Sequence, residues 1–189
     1  MNSRQTSALK RIHIVGGPGS GKTTLAHQLA EKLHAPAYDL DVVAFEHGAG
    51  AKRPLDRRLA DLRCILAQPR WITEGIYLWW TDGLMSAADN IIWLDPPWRV
   101  AAWRIVLRHV RAELAGTNRH RGWLKLIRFV HWTRTYYART DLPQPTTPEG
   151  DGANCRLATV AYLRPYQEKV VHCRHADEVK IFLNRVQND

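Results

Sequence analysis

An α/β fold, with helices packed about a parallel sheet, is what this sequence predicts, and three observations predict it. Five short β-rich runs alternate with longer segments of helical periodicity. The first run leads directly into a glycine-rich loop, Gly16-Gly17-Pro18-Gly19-Ser20-Gly21-Lys22-Thr23-Thr24. Acidic residues follow the second, third and fourth runs, at the strand ends where parallel sheets bind ligands.

In chain order, Arg11–Val15 (RIHIV) is the first strand. Thr23–Leu33 is a helix, with Leu25, Leu29 and Leu33 on one face. Pro36–Leu40 is a second strand, and Phe45–Arg53 a loop. Asp56–Ala67 is a helix with Asp56 as N-cap and Leu59, Leu62 and Leu66 as its apolar stripe, and Pro69 stops it. Trp71–Glu74 and Asn90–Leu94 are the third and fourth strands. From Trp98 a helix runs to about Leu114. Its apolar positions Val100, Trp103, Leu107, Val110 and Leu114 predict the core-facing side, opposite Arg104, Arg108 and Arg111. A break at Gly116–Gly122 precedes a basic, aromatic helix over about Trp123–Ala138. Leu142–Asn154 is a Pro/Gly-rich loop. A short helix (Arg156–Arg164), a fifth strand (Lys169–Cys173) and a last helix (Ala176–Val186) complete the chain.

The 189 residues fit a single domain, 1–189, with residues 1–10 as a polar, basic leader and about 99–140 as a helical insertion. No apolar run reaches the length of about 20 residues that spans a bilayer, and no secretory signal is present. A cytoplasmic protein with no membrane partner, monomer or homodimer, is the expectation. Cys64, Cys155 and Cys173 have no metal-ligand spacing and read as reduced structural thiols. The net charge of +9 sits in one place: between Arg99 and Arg139 stand nine arginines, one lysine and one glutamate. Such a segment should face something anionic.

The glycine loop matches G-x-x-x-x-G-K-[ST] between a strand and a helix, the setting in which this motif binds phosphate. Gly16, Gly17, Pro18, Gly19, Ser20 and Gly21 turn backbone N–H groups toward a phosphate. The following helix adds its N-terminal dipole, Lys22 reaches the β- and γ-phosphates, and Thr23 is a Mg²⁺ ligand with Thr24 beside it. The cofactors expected are ATP and Mg²⁺. Phosphoryl transfer also needs carboxylates at the metal and at the acceptor. Asp39 and Asp41, two apart in extended chain, share a face. Asp41 is the candidate acceptor base and Asp39 lies near the metal. Glu74 is the candidate Walker-B-like acid, with Gly75 and Tyr77 on the acceptor side. Asp95, before Pro96-Pro97, reads as a turn former. Arg104, Arg108 and Arg111 form one stripe suited to developing phosphoryl charge, and Arg119 and Arg121 follow in the glycine-flanked loop. Trp71, Trp93 and Trp103 are read as core-facing, Trp123 and Trp132 as lid packing, and Trp79-Trp80 as lining for the acceptor pocket.

The blocks GGPGSGKTTLAHQLAEKL, YDLD, WITEGIY and IIWLDPPWRVAAWRIVLRHV resemble the adenylate-kinase-like small P-loop kinases, and among them the FlaR-type DNA topology modulation protein group. The likeness spans about residues 11–186. It implies a P-loop NTPase fold of three layers, α/β/α, with a five-stranded parallel sheet in the order 2-3-1-4-5. It also implies an acceptor region between strands two and three and an Arg-rich helical lid after strand four. By position, Lys22 and Thr23 bind phosphate and Mg²⁺. Asp41 matches the acid of the "LD" block. Glu74 stands in place of the Asp of the "DGNY" block, with Gly75 and Tyr77 matching and Ile76 departing from Asn. Arg104 is similar to an adenine-stacking arginine and Arg108 to a phosphate-contacting one. The long Trp/Arg lid helix departs from the short lid of shikimate kinases, and the acceptor region lacks the arginine pattern expected for AMP. The implied activity is an ATP-dependent small-molecule kinase. The alternative is a nucleotide-dependent nucleic-acid-binding protein using the basic segment Arg99–Arg139.

Overall fold

The computed structural model describes residues 9–48, 50–116, 122–142 and 154–186. Arg119, Arg121 and most of the loop 142–154 lie outside these residues. Five strands, β1 (Arg11–Gly16), β2 (Ala37–Asp39), β3 (Trp71–Gly75), β4 (Asn90–Leu94) and β5 (Val170–Cys173), form one all-parallel sheet in the order β2-β3-β1-β4-β5. The eight helices among the described residues are α1 (Lys22–Leu33), α2 (Leu40–Ala44), α3 (Leu55–Leu66), α4 (Asp82–Ala87), α5 (Trp98–Leu114), α6 (Trp123–Ala138), α7 (Arg156–Leu163) and α8 (Ala176–Arg185).

Strand alternation sorts the side chains into two cores. Ile12, Ile14, Ile72, Ile92 and Leu94 pack with Leu25, Ala26 and Leu29 of α1 and Phe182 of α8. On the other face Val15, Trp71, Ile91 and Trp93 pack with residues of α2, α3, α4 and α7. Helices thus cover both faces, giving the three layers expected. Burying each large aliphatic in these layers contributes about 1.5–3 kcal/mol. The register then positions the chemistry. Val15 pairs with Gly75 on one side and Trp93 on the other, and Asp39 pairs with Glu74. The glycine loop and two of the acids therefore meet at one edge of the sheet.

Several expectations are corrected. The second strand ends at Asp39, and Asp41 belongs to α2, so the two acids do not share an extended face. Instead Asp39 caps the helix: its Oδ1 accepts from the Asp41 N–H at 2.8 Å. Short helices α2 and α4 carry too few residues to show periodicity and were not predicted. Pro54, not Asp56, caps α3, and Asp56 stands in its first turn. Part of the leader is tied down: Leu9 packs against the α1/α8 core, and the Lys10 N–H donates to Asp89 at 3.0 Å.

The largest correction concerns α5. It has the expected bounds but is turned over: Ala101 and Ile105 are its buried residues, while Val100, Trp103 and Leu114 are exposed. The reason is close approach to the glycine loop. A side chain on Gly19, whose φ is +75°, would lie 2.6 Å from the Ala101 carbonyl and 2.9 Å from Ile105. Only a small residue fits at that seat, so it outranks the larger apolar stripe.

His13 is wholly buried in the central strand, its Nδ1 2.8 Å from the Thr73 hydroxyl. Burial pushes its pKa down to about 3 from an ordinary 6.5. The stability contributed by the neutral ring is thus present above pH 6.5 and lost progressively as pH falls toward the folded value. Urea unfolding should show a loss of about 2 kcal/mol between pH 7.5 and pH 5. That part of the slope should be absent in His13→Leu, whatever its stability at pH 7.5.

Candidate functional site

The glycine loop turns into α1 through Gly21, which sits in the left-handed region at φ 101°. Its lysine and threonine then meet the acids of the sheet edge. Thr23 Oγ1 donates to Glu74 Oε1 at 2.6 Å. Lys22 Nζ lies 3.3 Å from the Gly17 carbonyl oxygen. Loss of hydration pushes the Lys22 ammonium below the usual lysine range, against the pull of Glu74, Asp41 and Asp39, and Arg108 adds to the depression. Burial raises the Glu74 carboxyl above the usual carboxylate range, opposed by Lys22 and by the Thr23 hydroxyl. Asp39 is raised for the same first reason, opposed by the Asp41 amide.

Asp41 projects from the first turn of α2, and its Oδ1 accepts from the Tyr77 hydroxyl at 2.6 Å. The buried Tyr77 ring is held against Trp80, with centroids 5.1 Å apart. A phenol bonded to one oxygen fixes the direction of the other. From above, Arg104 Nη1 donates to the Ser20 carbonyl at 2.7 Å. From α6, the Tyr137 hydroxyl donates to the Pro18 carbonyl at 3.0 Å. The Tyr136 ring occupies the space a Gly17 side chain would need, 2.5 Å from its Cβ position.

These groups enclose a cleft of about 1160 Å³. Pro18, Gly19, Ser20, Gly21, Lys22, Thr23 and Thr24 line it, with Asp41, Glu74, Gly75, Tyr77, Arg104, Arg108 and Arg111. Gly16, Gly17 and Asp39, also singled out from sequence, do not. Gly16 ends β1 beneath the loop, Gly17 is covered by Tyr136, and Asp39 spends one oxygen on its helix cap. Gly75 lines the cleft, but its missing side chain is filled by Leu40 at 2.9 Å rather than left open.

Trp79 and Trp80 face the core rather than the acceptor side. Trp79 packs edge-on against Tyr162, and Trp80 lies under the Arg58 guanidinium at 5.1 Å. Trp71 and Trp93 are buried as expected, whereas Trp103 is exposed because α5 is turned. Trp123 packs on His109 of α5, centroids 5.4 Å apart, in keeping with lid packing.

Sequence reasoning missed two features. Asp95 is no turn former but a buried carboxylate, held by Arg156 through two bonds of 2.8 Å and by His172 at 3.1 Å. This cluster pins the start of α7 to the ends of β4 and β5. Its one sequence signal was an acid directly after a strand. Tyr136 and Tyr137 gave no signal at all, since their target is a backbone distant in sequence.

The all-oxygen pair Thr23/Glu74 suits Mg²⁺. Because Thr23 gives its proton to Glu74, a lone pair of its oxygen remains available to a cation. No cluster of three or more His, Cys, Asp or Glu among the described residues forms a separate protein cage.

Residues 12–65 match the family described as ATPase family associated with various cellular activities (AAA). No curated protein matches the chain. Among solved structures, a gluconokinase from Sinorhizobium meliloti 1021 aligns with a TM-score of 0.53 at 16% identity, over 96% of this chain and 95% of that one. A shikimate kinase from Acinetobacter baumannii aligns at 0.47 and 18%, over 98% and 94%. A shikimate kinase from Bacteroides thetaiotaomicron aligns at 0.48 and 16%, over 96% and 98%. The chain therefore carries a P-loop NTPase module on a five-stranded parallel sheet, and the first of these likenesses shows its fold to be that of a small P-loop kinase.

Glu74's raised pKa also makes a stability prediction. A carboxyl whose folded pKa is raised contributes stability below its unfolded value, and this is lost as pH rises through the folded value. Without nucleotide, Glu74→Gln should therefore melt above the wild type at pH 8. The gap should narrow as pH falls toward 4.5, as read by thermal unfolding across pH.

Proposed function

We propose that this protein transfers the γ-phosphoryl group of Mg-ATP to a hydroxyl of a small-molecule acceptor. The observation that carries the reading is the convergence of Lys22, Glu74 and the Tyr77-bound Asp41 in one cleft beneath Arg104 and Arg108. The kinase fold, and a gluconokinase that shares it, support the reaction class. The resemblance to the FlaR-type group supports a member of that circle. The 1–189 chain then acts as one domain, with α5 and α6 as its lid.

In this reading the loop N–H groups and Lys22 hold the triphosphate. Thr23 and Glu74 would hold Mg²⁺, which would supply charge neutralisation to the phosphates. Asp41 accepts the acceptor's proton as its oxygen attacks phosphorus and the bond to the departing ADP oxygen breaks. Tyr77 keeps Asp41 aimed. Arg108 meets the charge developing on the transferred group, while Arg104, tied to the Ser20 carbonyl, seats the lid on the loop. Asp39 supports the site by capping α2 and by offsetting the Lys22 charge. Gly75 shapes the wall beside Tyr77. A cytoplasmic setting and a monomer or homodimer accompany this proposal.

The alternative, nucleic-acid binding through the basic segment, draws on the same arginines. Arg104, Arg108 and Arg111 line the phosphate cleft, which favours the phosphotransferase.

ADP release from Mg-ATP, alone and with nucleosides, nucleoside monophosphates, shikimate, gluconate and aminoglycosides, tests the proposal. One acceptor class should stimulate turnover, with none in Lys22→Ala. Asp41→Asn should lower kcat by about 10²- to 10⁴-fold. Tight ATP binding with no acceptor stimulating turnover above Lys22→Ala would reject it.

A further inference from the structure

Part of the apolar stripe of α5 faces solvent, although Leu107 lines the cleft and Val110 is half-buried. Trp103 is 65% exposed and Leu114 85%. Beside it on α6, Trp123 is 59%, Leu124 74% and Ile127 62% exposed. The two helices pack against each other, with His109 on Trp123, and none of these five side chains lines the cleft. The inner side is occupied: α5 seats Ala101 and Ile105 on the glycine loop, and α6 buries Leu126, Thr133 and Tyr136. An apolar surface of this kind on a folded chain marks a contact.

The charge around it selects the occupant. Of the basic residues on α5 and α6, Arg104, Arg108 and Arg111 line the cleft, and the single acid of the two helices, Glu113, lies 3.8 Å from His109. Arg99, Lys125, Arg128 and Arg134 are exposed. A second copy of the chain would cover the apolar residues but set like charges against each other. A nucleic acid would match the charge but leave Leu114, Leu124 and Ile127 unpaired, since bases stack on rings and not on aliphatic chains. An anionic lipid surface satisfies both. Tryptophan and leucine enter the headgroup boundary while lysine and arginine meet the headgroups.

We propose that the outer face of the α5–α6 hairpin docks on an anionic membrane surface. No described helix is long and apolar enough to cross a membrane, and none needs to: the hairpin lies on the surface. The expectation of no membrane partner rested on the missing spanning run, which has no bearing on a surface contact. The proposal is independent of the phosphotransferase reading, because none of Trp103, Leu114, Trp123, Leu124 and Ile127 lines the cleft.

The test is flotation of the full chain with vesicles of phosphatidylcholine, with and without about a third phosphatidylserine. Capture by the anionic vesicles should exceed capture by the neutral ones about tenfold and reverse at about 0.5 M salt, with a blue shift of tryptophan emission on binding. The double variants Leu124→Glu/Ile127→Glu and Lys125→Glu/Arg128→Glu should each reduce capture about tenfold while keeping the wild-type circular dichroism and thermal midpoint. Equal capture by both vesicle types would overturn the proposal. So would a dimer that Leu124→Glu/Ile127→Glu dissociates, with no vesicle capture. Charge-only binding, unaffected by Leu124→Glu/Ile127→Glu and displaced by an oligonucleotide, would assign the face to nucleic acid instead.

Discussion

Lys22 carries a positive charge into a place where water is scarce, and much of the architecture answers that one fact. A cation drawn out of water costs free energy unless negative groups lie close. Here they are Glu74 from β3, Asp39 from the end of β2 and Asp41 from the turn beyond it. Their presence depends on the sheet. Because β3 lies between β1 and β2 and all three run parallel, the strand that ends in the glycine loop and the strands that end in acids finish at the same edge. Burial holds Glu74 and Asp39 above the usual carboxylate range even beside Lys22, so the site is incompletely compensated without a ligand.

The second constraint is the narrowness of the glycine loop. Gly17 and Gly19 leave room that two other elements fill: Tyr136 of α6 over the first, Ala101 and Ile105 of α5 against the second. Polar contacts from the same helices, Arg104 to Ser20 and Tyr137 to Pro18, land on loop carbonyls. The lid is thus seated on the phosphate-binding backbone itself. The outermost tie is the Tyr136 hydroxyl, 3.0 Å from Thr159 of α7, and α7 is in turn anchored through Arg156 to Asp95 at the end of β4. The α5–α6 pair is therefore tied both to the glycine loop and, through α7, to the edge of the sheet.

Seating α5 by Ala101 and Ile105 has a consequence on the far side. The arginines turn toward the cleft and the larger apolar side chains turn outward. One rotation of one helix thus sets the charge over the phosphate site and creates the surface assigned here to lipid.

Read alone, the sequence determined what local chemistry can determine. The glycine loop was legible because its motif is contiguous and its flanking strand and helix obey simple periods. The five strands were legible because buried parallel strands are short and β-rich. Glu74 and Asp41 were singled out because they follow strands, and the structure brings both to the cleft. Tertiary structure decided whatever depends on contacts between distant segments. It turned α5 over, because a close approach to Gly19 weighed more than the larger apolar stripe. It made Asp39 a helix cap, because α2 already begins at Leu40, inside the run read as extended. It made Asp95 the anchor of Arg156 and His172, partners 61 and 77 residues away. Periodicity can say that a helix has two faces, but which face meets the protein is settled only by the shape of what it packs against.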